Sequence, residues 1–209
     1  MFIEERKISN KNNITKNIMK DCYKGLGNIA LNDNDIESAI DYYSRAILYG
    51  FSKFDGYKCI GYMYYEKDNW FKACEYFTKA LSIKQDVDLY YNRAYARIKM
   101  NDNSAALSDL TKVIGLSKNY SQAYWARATI YFDRRQWSLA LADYKRYSAL
   151  NKNDAAAVYN IGVSILNQGN KKAAYPYFNK AKNMYQAQGN AKCYNDCVRI
   201  MNRINGYAY

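Results

Sequence analysis

Apolar residues along this chain recur at intervals of three and four, stop at a polar pair, and then restart. Asn32-Asp33 and Asn101-Asp102 are two of those stops. The interval marks one face of an α-helix and the interruption marks a tight turn, so each segment reads as two amphipathic helices in a hairpin. The whole arrangement then repeats. The stretches CYKGLGNIAL…ESAIDYYSRAI, GYKCIGYMYY…KACEYFTKAL, LYYNRAYARI…AALSDLTKVI, AYWARATIYF…ALADYKRYSA and AVYNIGVSIL…AAYPYFNKAK align with a period of 34 residues, one step being 33. The alignment predicts five units, 20–53, 54–86, 87–120, 121–154 and 155–188. A period of this length signals stacked helical pairs that share a continuous core.

Equivalent positions in the units carry equivalent residues. The first unit has Tyr23, Leu26, Gly27, Ala39, Tyr43 and Ala46; the second has Tyr57, Ile60, Gly61, Tyr64, Ala73, Phe77 and Ala80. The third has Tyr90, Ala94, Ala106 and Leu110, the fourth Tyr124, Ala128, Tyr131, Ala140 and Tyr144, and the fifth Ile161, Gly162, Ala174, Phe178 and Ala181. The set resembles the tetratricopeptide repeat family, whose pattern places an aromatic at position 4, Leu-Gly at 7–8, Tyr at 11, Ala at 20, an aromatic at 24 and Ala at 27. That resemblance implies an all-α fold, a right-handed α-solenoid of helix-turn-helix hairpins. It covers 20–188; residues 1–19 read as a partly frayed extension, with Ile14, Ile18 and Cys22 lengthening the first helix, and 189–209 as a capping helix and tail. Departures include Ala30 and Arg97 at position 11, Val113 and Tyr147 at position 27, and no Pro at position 32 in any unit.

Small residues at positions 8 and 20 let the two helices of a hairpin approach closely, and the aromatics fill the surrounding space; Leu at Ala140 would overpack by ~1–3 kcal/mol. Positions 7 and 23 vary together. Three units pair an aliphatic with Tyr (Leu26 with Tyr42, Ile60 with Tyr76, Ile161 with Tyr177), and two pair Arg with Asp (Arg93 with Asp109, Arg127 with Asp143). The exchange predicts that the two positions meet and that the Arg–Asp pairs are structural ion pairs, the other reading being arginines that face a ligand. Arg97 has no comparable mate.

The family resemblance also implies a concave face built from first helices. Projection by register puts Lys58, Tyr62, Tyr65, Tyr91, Asn92, Tyr95, Trp125, Thr129, Phe132, Tyr159 and Asn160 on it as the expected peptide-binding set. Rings such as Tyr62, Tyr91, Tyr95, Trp125 and Tyr159 sit where core packing does not require them, and large amphipathic rings suit a binding surface. An amide such as Asn92 or Asn160 offers donor and acceptor to an extended peptide backbone. The carboxylate clamp of some family members is not expected: Lys24 and Asn28 fit one register but Cys59, Asp88 and Asn92 break it, while Lys58 and Asn92 fit the next but Tyr62, Gln122 and Ala126 break it.

Composition narrows the chemistry. The 209 residues contain no histidine, which removes histidine-based nucleophilic and general-base catalysis and imidazole metal sites. Glu4-Glu5 is a terminal carboxylate pair without a frame, and no Gly-rich phosphate loop is present, so no enzyme, cofactor or metal is expected. The five cysteines do not form a disulfide framework, and Cys193 and Cys197 fall on an apolar helical stripe with Ile200 and Ile204. No signal-peptide core or 18-residue apolar run is visible, so a cytoplasmic protein is expected. Charge is lopsided: residues 1–86 hold 13 cations and 12 anions, residues 87–209 hold 18 and 7. The expectation is a protein-interaction scaffold or adaptor, chaperone-like, with an acidic protein or peptide partner; nucleic acid or an anionic surface is the alternative.

Overall fold

The computed structural model describes residues 2–206, with side chains described from Asn12 onward. Eleven α-helices and no strands occur among the described residues: α1 (Phe2–Asn32), α2 (Ile36–Leu48), α3 (Lys53–Glu66), α4 (Trp70–Leu81), α5 (Val87–Lys99), α6 (Asn103–Leu116), α7 (Ser121–Asp133), α8 (Trp137–Leu150), α9 (Ala155–Asn167), α10 (Lys171–Ala187) and α11 (Ala191–Ile204). The chain divides into two compact units, Met1–Ala106 and Leu107–Tyr209. Within the first, α1 packs on α2, α2 on α3, α3 on α4 and α4 on α5; within the second, α7 packs on α8 and so on through α11. The extension expected before residue 20 is helical from Phe2 and continuous with α1, because 1–19 contains neither Pro nor Gly to interrupt it. The Glu4-Glu5 side chains lie outside the described residues.

One turn is used five times. Position 15 of each unit (Asn34, Asp68, Asn101, Arg135 and Gly169) has a positive φ, between 56° and 85°. The next residue donates its backbone N–H back to the position-11 carbonyl, as in Asp35 to Ala30 at 2.8 Å and Asp102 to Arg97 at 2.8 Å. This left-handed cap satisfies the last carbonyls of the first helix. The same residue then opens the second helix: Asp35, Asn69, Asp102 and Asn170 each accept a backbone N–H three residues on. The fourth unit departs twice, with Arg135 forced into the left-handed region and Gln136 making no side-chain cap.

Helix approach inside a hairpin is set by residues too small to hold the helices apart. Ala39, Ala73, Ala106, Ala140 and Ala174, all at position 20, are fully buried. Opposite them, a Cβ added to Gly61 would come within 2.6 Å of the Phe77 ring and 3.4 Å of its backbone nitrogen; on Gly27 it would come within 2.8 Å of the Tyr43 ring. The rings Tyr43, Phe77, Tyr144 and Phe178 are buried in that space and anchor the core clusters of their units. Tyr147, at the position that Ala fills in three units and Val113 in the third, is too large to be buried and lies partly open, its hydroxyl donating to Asp154 at 2.9 Å.

Gly61→Ala gains helix propensity of about 1 kcal/mol yet forces the Phe77 ring aside, so urea unfolding should show a net loss of about 1–2 kcal/mol. Gln136→Asp supplies the missing cap and should raise the unfolding free energy by about 1 kcal/mol in the same measurement.

Candidate functional site

The expected binding set falls on the first helices of both units. In Met1–Ala106 α3 carries Lys58, Tyr62 and Tyr65, and α5 carries Tyr91, Asn92 and Tyr95; in Leu107–Tyr209 α7 carries Trp125, Thr129 and Phe132, and α9 carries Tyr159 and Asn160. The rings do not stand free in water as the sequence pattern suggests. Every one is half-buried. For Tyr62, Trp125 and Tyr159 the reason is the buried aromatic at position 24 of the second helix, which offers each of them a wall. Tyr62 meets Phe77 edge-on with centroids 5.3 Å apart, Trp125 meets Tyr144 at 5.3 Å, and Tyr159 meets Phe178 at 5.5 Å. Edge-to-face contacts of this kind fix a ring's orientation while leaving its other face and polar tip open.

Polar groups in Met1–Ala106 are partly engaged by one another. Asn92 donates its side-chain amide to the Tyr62 hydroxyl at 3.0 Å, which leaves the Asn92 carbonyl oxygen for another donor. Lys58 pairs with Asp86 at 3.3 Å, so its charge is not held in reserve for a ligand. Burial raises the Tyr62 and Tyr91 hydroxyl pKa values, and burial with Tyr95 and Tyr91 nearby pushes Tyr65 up to about 12. All three are neutral phenols at physiological pH, able to donate and accept without a charge to desolvate. In Leu107–Tyr209 Thr129 donates to the Trp125 carbonyl at 3.0 Å, and the Asn160 amide makes no bond to another described residue.

Two rings that the register projection passed over belong to the same surface. Trp70 packs edge-on against Tyr65 at 5.1 Å and Tyr95 at 6.0 Å, and Trp137 packs against Phe132 at 4.9 Å. Both open a second helix, at position 17 of their units, immediately after the turn. Their shared position was the available signal.

The covarying pair in the fourth unit is an ion pair. Arg127 on α7 donates through Nε and Nη2 to both oxygens of Asp143 on α8, at 2.7 and 2.9 Å, and through Nη1 to Thr111 Oγ1 at 3.1 Å. Its hydrogen bond to Asp143 raises the guanidinium pKa despite burial. Arg93 donates to Thr78 Oγ1 at 2.9 Å, and Arg97, which had no evident mate, donates to the Ala105 carbonyl at 3.3 Å. Cys197 is buried and its thiol is pushed up to about 11 by that burial, with Cys193 half-buried beside it in the packing of α10 and α11. No group of three or more potential metal ligands occurs among the described residues.

Leu107–Tyr209 also holds a cleft of about 410 Å³ lined by Leu166, Lys171, Ile200, Arg203 and Ile204. Leu166 follows Tyr159 and Val163 on α9 at helical spacing, so the cleft continues the line of the half-buried ring. Its floor is aliphatic and its rim carries two cations and no acid. Among the described residues, no helix is long and apolar enough to cross a membrane.

A face of rings and amides carried on repeated helical hairpins defines a protein-interaction module of the repeat class. Two family profiles, each described as tetratricopeptide repeat, match residues 126–191 and 87–120. The chain is a tetratricopeptide repeat protein. It is 30% identical over 123 residues to the DnaJ homolog subfamily C member 7 homolog of Dictyostelium discoideum, a match covering 56% of this chain and 23% of that protein. It is 28% identical over 97 residues to serine/threonine-protein phosphatase T of Trypanosoma brucei brucei, covering 46% and 21%. The matched stretch thus spans less than a quarter of either relative. In fold it is similar to MamA, with a TM-score of 0.73 at 19% identity over 83% of this chain and 96% of that one. It is similar also to YrrB, described as a TPR protein with an unusual peptide-binding site, with a TM-score of 0.71 at 22% identity over 85% and 90%.

The ion pair yields a test of its structural role. Arg127→Ala strands the buried Asp143 carboxylate and should cost about 3 kcal/mol of unfolding free energy. Arg127→Ile combined with Asp143→Tyr copies the Ile60–Tyr76 pair of the second unit, and should recover most of that loss in the same denaturation assay.

Proposed function

We propose that the chain is a non-enzymatic adaptor that holds an extended, acidic segment of a partner protein against its first-helix faces. The observation that carries this reading is the half-open rings within each compact unit, Tyr62 in one and Trp125 and Tyr159 in the other, each set edge-on against a buried neighbour with a polar tip or a face left free. Such rings contribute large contact area at small entropic cost, since their rotamers are already set. Amides at Asn92 and Asn160 would bind the partner's backbone, which makes the grip tolerant of sequence.

Charge selects the partner. Residues 107–209 hold 15 cations and 5 anions, and the cleft beyond Tyr159 sets Lys171 and Arg203 around an aliphatic floor. That arrangement suits a segment in which acidic and aliphatic residues alternate, and the cationic surface would speed its capture. Similarity to a DnaJ-type protein is consistent with a chaperone-like adaptor role.

The test is peptide display. Panning a library of natural protein segments against the full chain should enrich acidic-aliphatic sequences, and Lys171→Glu with Arg203→Glu should weaken the best of them at least tenfold without changing the urea midpoint. Enrichment of sequences without acidic residues, or unchanged affinity in the double variant, would contradict the charge reading. The rival is nucleic acid, and salt titration separates the two: submicromolar binding to generic RNA or DNA at physiological salt, with a steep salt slope, would favour it.

A further inference from the structure

In the second to fifth units, positions 3 and 10 of the first helix are buried: Gly56 and Met63, Leu89 and Ala96, Ala123 and Ile130, Ala157 and Ser164. Gly56 lies against Ile47 of α2, and Leu89 joins the cluster of Ala73, Phe77 and Ala80 of α4. Position 7 joins them where it is aliphatic, as Ile60 and Ile161. On α1 the same register holds Cys22, Leu26 and Ile29. They are equally apolar, yet Leu26 and Ile29 are 41% and 57% exposed and Cys22 is exposed. The stripe runs on toward the N-terminus through Ile18 and Ile14, at 56% and 61%. Side chains at spacings of four, four, four and three share one helix face, here about 22 Å long. Gly25 lies on that face, and a Cβ built there would meet nothing within 4 Å.

The register states what kind of group covers such a face. Where α2 covers α3, Ile36, Ile40 and Ile47 of α2 pack into the cluster that contains Ile60 and Met63. A second copy of the chain has no spare second helix of this kind to offer from α2, α4, α8 or α10, since each is packed against the helix that follows it. The outer side of α11 is polar, with Lys192, Asn195 and Arg199 exposed. What a second copy does offer is the α1 stripe itself, and the stripe is self-complementary. It is nearly symmetric about Cys22: Ile18 and Leu26 stand four residues to either side, and Ile14 and Ile29 eight and seven. An isologous two-fold contact requires a patch that matches its own reversed copy.

We propose that two copies of this chain associate through antiparallel α1 helices, with Ile14 against the partner's Ile29, Ile18 against the partner's Leu26, and the two Cys22 residues adjacent at the two-fold axis. Gly25 lets the helices approach closely beside that axis. The stripe offers five apolar side chains where a standard stable interface uses roughly 20–30 residues a side, so the dimer is weak and depends on concentration. This contact is separate from the first-helix faces of α3, α5, α7 and α9, and either reading can fail alone.

The experiment combines sedimentation equilibrium with cysteine cross-linking of the full chain. Rising concentration should convert monomer to dimer and stop there, and a short bismaleimide should trap that dimer. Cys22→Ser should abolish the trapped species, which checks that the half-buried Cys59, Cys74 and Cys193 do not produce it. Ile18→Glu with Ile29→Glu, both exposed, should raise the dimer dissociation constant at least tenfold with unchanged circular dichroism. A monomer at all concentrations, a ladder of higher species, or a trapped dimer that survives Cys22→Ser would each overturn the proposal.

Discussion

The structure depends on how closely two helices can approach. A ring at position 24 is driven inward by burial of its apolar area, but it fits only because the facing positions carry no side chain, or only a methyl group. Gly61 beneath Phe77 and Gly27 beneath Tyr43 show how little room is left, and the fully buried Ala39, Ala73, Ala140 and Ala174 complete the contact. Packing at interior density makes this nearly all-or-none. Each hairpin closes to one spacing, and the next first helix has one groove to enter.

That constraint also shapes the outward face. With Phe77, Tyr144 and Phe178 fixed in the core, their edges become walls for Tyr62, Trp125 and Tyr159, whose remaining surface stays open. The candidate site is therefore an extension of the packing and not a decoration added to it. Truncating a ring there removes contact area for a partner and loosens the hairpin together. The cations of the cleft, by contrast, stand at a rim where charge can change with little effect on packing.

Periodicity made the helical hairpins legible, because position 20 tolerates little but Ala and position 15, outside the fourth unit with its Arg135, carries Asn, Asp or Gly, which adopt a positive φ readily; those constraints act locally and recur along the chain. Arg127 and Asp143 were legible through exchange with Ile60 and Tyr76, since a buried contact must change both partners. The state of the rings was harder to read. Register places Tyr62 on a face, but its burial is decided by Phe77 across the hairpin and by the amide of Asn92 on α5, and periodicity records neither. Trp70 and Trp137 escaped for a similar reason: they begin second helices, and only the folded turn brings them beside Tyr65 and Phe132.

The most direct measurement is backbone and side-chain chemical-shift mapping of the full chain as an acidic-aliphatic peptide is added. Recognition by the ring-lined faces requires the largest shifts at Tyr62, Tyr91, Trp125, Tyr159 and Asn160, fading toward the outer surfaces of α4 and α8. Shifts confined to those second helices, or to the loops, with the rings undisturbed, would contradict the account while leaving the helical hairpins as described.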